Sequence, residues 1–111
     1  MVEERLEILK KYIDFRLNNK VNDLLNLFSD KCVLITYDGN TYNNKEELED
    51  YFNNPIQSIP KIKNIKQEFG NIYSLELHFI AGIKIIKVTF TFENVRSNLI
   101  YSIKMSSIGW I

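Results

Sequence analysis

From Lys61 onward apolar residues recur at every second position, whereas before it they recur at three- and four-residue steps. No feature of the chain constrains its fold more than this change of period, because a period of two suits a strand and one near 3.6 suits a helix. The reading gives strands at Lys61–Phe69, Ile72–Ile80, Ile83–Glu93 and Leu99–Ser107. Gly70-Asn71, Ala81-Gly82 and Asn94 to Asn98 are the turns between them, short enough that neighbouring strands should run antiparallel. Parity then sorts the faces. Leu75, Leu77 and Phe79 share the apolar face with Ile86, Val88, Phe90 and Phe92, and with Leu99, Tyr101, Ile103 and Met105. Glu76, His78, Lys87, Thr89, Thr91, Ser102 and Lys104 fall on the other, polar face.

In the first half, Val2, Leu6, Leu9, Ile13 and Leu17 form a helical stripe, with Ile8, Tyr12 and Phe15 as a second apolar line beside it. "NNK" at 18–20 breaks that helix, and Val21, Leu24, Leu25 and Phe28 make a short second one, ended by Ser29-Asp30. "CVLITY" reads as a strand, closed by the turn pair Asp38-Gly39. Asn44 caps a third helix with Glu47 three residues on, Leu48, Tyr51 and Phe52 form its buried stripe, and Asn54-Pro55 stops it. Helices first and a meander of strands after them predict one α+β domain over residues 1–111, with N-terminal helices packed on a curved, mainly antiparallel sheet. The expected inward residues are Tyr12, Leu34, Thr36, Leu48, Phe52, Leu75, Leu77, Val88, Phe90, Leu99 and Ile103.

Several function classes are disfavoured. Fourteen basic residues balance fourteen acidic ones, so no nucleic-acid partner is expected. Lys61, Lys63 and Lys66 form the densest basic cluster and read as guards of an exposed strand edge. "MVEERLEILKK" lacks the apolar region of a secretory signal, and the longest apolar run, "FIAGI", is far too short to span a bilayer. With Cys32 as the one cysteine, a cytoplasmic protein with no membrane contact is expected. His78 is the one histidine, so a zinc site or a Ser-His-Asp triad is not expected, and no metal or cofactor is implied.

The stretch "YIDFRLNNKVNDLLNLFSDKCVLITYDGNTYNNKEELEDYF" resembles the opening of the nuclear-transport-factor-2-like superfamily, which includes ketosteroid isomerases, scytalone dehydratase and SnoaL-like cyclases. "LFSDK", "YDG" and "NKEELEDYF" carry the resemblance, with Asn44 where a glycine is common. It covers the first half at motif level and the second half in topology. It implies the cystatin-like cone, in which sheet and helices enclose an apolar pocket. Aligned without gaps on the isomerase pattern, Tyr12 coincides with the tyrosine that holds a substrate oxyanion. The base position falls on Thr36, which has no basic form near neutral pH; the gapless match ends at Gly39, and across the loops beyond it the second acid falls roughly on Phe90. Asp38, two residues beyond Thr36, is the one candidate for a relocated base, and it can equally bond its local backbone as turn aspartates do.

These residues lead to an expectation of a non-catalytic domain that binds a small hydrophobic molecule. Its pocket residues would be Tyr12, Thr36, Tyr51, Phe52, Phe79 and Phe90, although the same aromatics can fill a core instead. Two alternatives stand beside it. One is a homodimeric interaction module using the outer sheet face. The other is a SnoaL-like isomerase, cyclase or dehydratase with Asp38 as its acid or base.

Overall fold

The computed structural model describes residues 1–80 and 84–109. Helix α1 (Val2–Leu17) is followed by the single-turn α2 (Val21–Leu25), strand β1 (Phe28–Ile35), the two-residue β2 (Thr41–Tyr42) and helix α3 (Lys45–Phe52). The remaining strands are β3 (Lys61–Phe69), β4 (Ile72–Phe79), β5 (Lys84–Phe92) and β6 (Ile100–Gly109). They form one six-stranded sheet in the order β2-β1-β6-β5-β4-β3. All neighbouring pairs are antiparallel except β1 and β6, which run parallel because the whole β2–β5 excursion lies between them in sequence. The fold is α+β, as the change of period predicts. The Ala81-Gly82 turn and the strand start at Ile83 lie outside the described residues.

Local chemistry sets the helix ends. The Asn44 side chain accepts a hydrogen bond from the Glu47 backbone N–H at 2.9 Å. The Glu47 carboxylate reaches back to the N–H of Asn43 at 3.0 Å, one residue earlier than a capping box places it. Phe28 does not belong to α2: the helix stops at Leu25, and Phe28 opens β1 opposite Ile100. A spacing of three or four residues fits a helix locally, but pairing with β6 gives Phe28 a completely buried place in the sheet.

The core lies between the helices and one face of the sheet. Leu9, Tyr12, Leu24, Phe28, Leu34, Leu48, Phe52, Tyr73, Leu75, Val88, Phe90, Phe92, Ile100 and Ile103 are all nearly or fully buried there. Two of the sheet's five register shifts bear on which residues face the core. In β3, Asn64 takes a left-handed conformation (φ +55°) where the register against β4 shifts. This bulge lets Ile62 and Ile65, three apart, both pack against the core. In β6, Thr91 pairs with Ser102 but Phe92 with Ile100, so Tyr101 is the extra residue of a second bulge. The expectation that Leu99 and Tyr101 face inward is therefore corrected: they are 40% and 45% exposed, and Ile100 is buried in their place.

β3 is a sheet edge, and Lys61, Lys63 and Lys66 are exposed along it. The polar face carries a network of its own. The Glu68 carboxylate accepts from the Ser74 hydroxyl at 2.6 Å and pairs with Lys87 at 3.0 Å, and His78 meets Glu76 at 3.0 Å. His78 is on the expected face, but it is partly covered and partnered there rather than freely hydrated.

Candidate functional site

A cavity of about 250 Å³ opens between the C-terminal half of α1, the turn after β1, α3 and the sheet. Helical spacing places Tyr12 and Arg16 one above the other on the buried face of α1, so both reach its wall. The β1 end contributes Thr36, Tyr37 and Asp38; α3 contributes Tyr51; the sheet floor is Leu77, Phe79, Ile86, Val88 and Met105. The wall is largely apolar, with a few polar groups around it.

The Tyr12 hydroxyl is buried and has no hydrogen-bond partner. Its ring is fixed edge-on against Phe90, Phe52 and Phe28, at centroid distances of 5.2, 6.1 and 6.5 Å. Burial, reinforced by the neighbouring Tyr51 and opposed by Arg16, pushes its phenol far above the usual tyrosine range, so it stays a neutral donor at any physiological pH. Burial also raises Tyr51, whose hydroxyl lies 3.8 Å from the Met105 sulfur.

Asp38 sits at the exposed rim. The Thr36 hydroxyl donates to one carboxylate oxygen and the Asn40 amide approaches the other at 3.4 Å. The Thr36 hydrogen bond, aided by backbone N–H groups and Lys84, holds the Asp38 carboxyl below the usual range. A base with lowered proton affinity is a poorer base at neutral pH, and this one spends its acceptor capacity on its own turn.

Of the residues expected to line a pocket, Tyr12, Thr36, Tyr51 and Phe79 line this cavity. Phe52 and Phe90 do not: both are completely buried beneath Tyr12 as packed core, so the aromatic face is part wall and part filling. Arg16, Tyr42, Ile56 and Met105 also line the cavity, without having been expected there. Arg16 had one sequence signal, its position four residues after Tyr12; Ile56, in the irregular segment after α3, had none. Among the described residues no three His, Cys, Asp or Glu side chains are grouped to hold a metal ion, and no helix is long and apolar enough to cross a membrane.

No family model matches the chain, and no curated protein matches it either. Solved structures do. A SnoaL-like protein from Burkholderia thailandensis superposes with a TM-score of 0.74 at 12% identity, over 98% of each chain. An NTF2-like protein from Burkholderia xenovorans gives 0.72 at 13% identity, over 100% of this chain and 88% of its own. The epoxide hydrolase/cyclase-like enzyme SalBIII, with a role in pyran ring formation in the polyether salinomycin, gives 0.69 at 14% identity, over 96% and 92%. At such identities the agreement is one of architecture, and the architecture carries both enzymes and proteins with no assigned activity. The chain has the cystatin-like cone fold of the NTF2-like and SnoaL-like proteins.

Proposed function

We propose that the chain binds a small, largely apolar molecule in this cavity through one hydrogen bond from Tyr12, without turning it over. The observation that carries the reading is the Tyr12 hydroxyl, a buried donor with no partner, on a residue that lines an apolar cavity. An orphaned buried hydroxyl costs about 1–3 kcal/mol, which a ligand oxygen would offset. The cavity is at the small end of ligand sites, so the ligand is of one- or two-ring size. The non-catalytic part rests on Asp38: the sole carboxylate of the wall is exposed, occupied by Thr36 and weakened as a base.

A matched pair tests this: 2-acetylnaphthalene, which offers a carbonyl oxygen, and 2-ethylnaphthalene, which does not. The wild type should prefer the ketone by about 2- to 10-fold, the worth of one neutral hydrogen bond. Tyr12→Phe should abolish that preference. Absence of binding by both, or an unchanged preference in Tyr12→Phe, would remove the reading. Steroid-type isomerase turnover that Asp38→Asn abolishes would instead make Asp38 a relocated base.

A further inference from the structure

Arg16 is one of two buried arginines, and it is the one that borders the cavity. It is 6% exposed on the cavity wall, and its guanidinium donates to the Phe52 carbonyl oxygen at 3.2 Å. It lies over the Tyr51 and Phe52 rings at 5.1 and 5.6 Å. It has no carboxylate partner among the described residues, whereas the exposed Lys10 and Lys66 and the half-buried Lys45 and Lys87 each have one. A guanidinium keeps its charge at any accessible pH, and taking it out of water without an anion is costly. The two ring faces and the negative C-terminal end of α1 offset part of that cost, but neither is a counter-ion. Asp38, the one carboxylate of the wall, is turned to Thr36 and Asn40 at the rim. Tyr12 stands one helical turn before Arg16 with its hydroxyl unpartnered. Two residues of the wall, one helical turn apart, thus carry an unpartnered O–H donor and a planar cationic N–H donor, with an apolar floor across the cavity.

We propose that the ligand is an apolar carboxylic acid, bound as its carboxylate between Arg16 and Tyr12. A carboxylate supplies the missing counter-ion and an acceptor for the orphaned hydroxyl in one group, and its plane suits the guanidinium fork. Lys84 adds a second positive charge in an adjoining cleft that shares Tyr37, Ile56, Phe79 and Ile86 with the cavity, and it donates there to the Tyr37 hydroxyl at 3.2 Å. This inference rests on the binding reading above and narrows it from any oxygen acceptor to an anionic one.

The test is calorimetry of the full chain near neutral pH with naphthalene-2-carboxylate and naphthalene-2-carboxamide, beside 2-acetylnaphthalene. The wild type should bind the carboxylate at least tenfold tighter than the amide, and the gap should narrow with added salt. Arg16→Gln should erase the gap. This comparison of ligands on the wild type does not depend on how that variant folds, and circular dichroism reports the variant's folding. Equal or tighter binding of the amide overturns the carboxylate assignment. Binding of the ketone alone also overturns it while leaving the cavity a neutral-ligand site, and binding of none of the three removes both readings. An acid preference that persists in folded Arg16→Gln would assign the charge recognition elsewhere and likewise overturn the proposal.

Discussion

Arg5 and Arg16 are the same side chain, buried to nearly the same degree on the same helix, yet they do different things. Arg5 lies over the Phe92 and Tyr73 rings at 4.8 and 5.8 Å, and one of its terminal nitrogens donates to the carbonyl oxygens of both Asn94 and Ser97 at 2.8 Å. It clamps the β5–β6 loop onto the closed end of the cone. Its Nε stays unpartnered, so even this end is not perfectly satisfied. Arg16 also lies over two rings, but its bond to a backbone carbonyl is long, at 3.2 Å, its other polar neighbour is the neutral Tyr51 hydroxyl, and it borders the cavity. One end of α1 uses its cation to finish the fold, and the other leaves its cation available.

The largest expected effect contrasts the packing of the two ends. Phe92 is completely buried under Arg5, so Phe92→Ala should cost about 3–5 kcal/mol in urea unfolding, from the lost ring and the space it leaves. Met105 is only partly buried on the cavity wall, and its truncation merely enlarges existing space. Met105→Ala should cost about 1–2 kcal/mol, below the range for a fully packed methionine. Equal costs would mean that the cavity end is packed as tightly as the closed end.

The arginines themselves come next. Arg5→Met removes two charge-assisted hydrogen bonds and leaves two loop carbonyls without their donor, so it should destabilise by about 2–4 kcal/mol. Arg16→Met exchanges an uncompensated buried cation for an apolar chain of similar reach. It should leave stability within about 1 kcal/mol of the wild type, or raise it. Similar losses in both variants would make Arg16 a structural clamp like Arg5 and weaken its assignment to a ligand.

The same contrast explains what was readable in the chain. The sheet and helix order follow from the change of period at Lys61, and the α3 cap follows from Asn44 and Glu47, because both are local patterns. Two bulges were not legible: Asn64 shifts Ile65 inward, and Tyr101 exchanges the roles of Leu99 and Ile100. A bulge depends on the register of the partner strand, which period alone does not contain. At the site, the Tyr12 position was legible through the resemblance. Phe52 and Phe90 were placed on the wall because apolar content does not separate lining from filling. The two buried arginines were missed for a related reason. They stand in register with Leu9, Tyr12 and Ile13 on the buried face of α1, but a stripe defined by apolar residues passes over charged ones.

The smallest and most diagnostic change is Tyr12→Phe, which leaves every ring contact in place and removes one oxygen. Without ligand that oxygen has no partner, so its loss should raise stability by up to about 1 kcal/mol rather than lower it. Alkaline pH supplies an independent check. The folded-state phenol titrates above the unfolded-state value near 10, so the stability linked to it is present in full below about pH 10 and is lost as pH rises further. Tyr51 is raised in the same direction and contributes to the same loss. Tyr12→Phe should therefore lose less stability between about pH 10 and pH 11 than the wild type, with the remainder due to Tyr51 and other groups that titrate there. Urea unfolding of both proteins at a neutral and two alkaline pH values measures the difference. A Tyr12→Phe variant destabilised at neutral pH would give the hydroxyl a structural partner and take away the donor on which the binding reading depends.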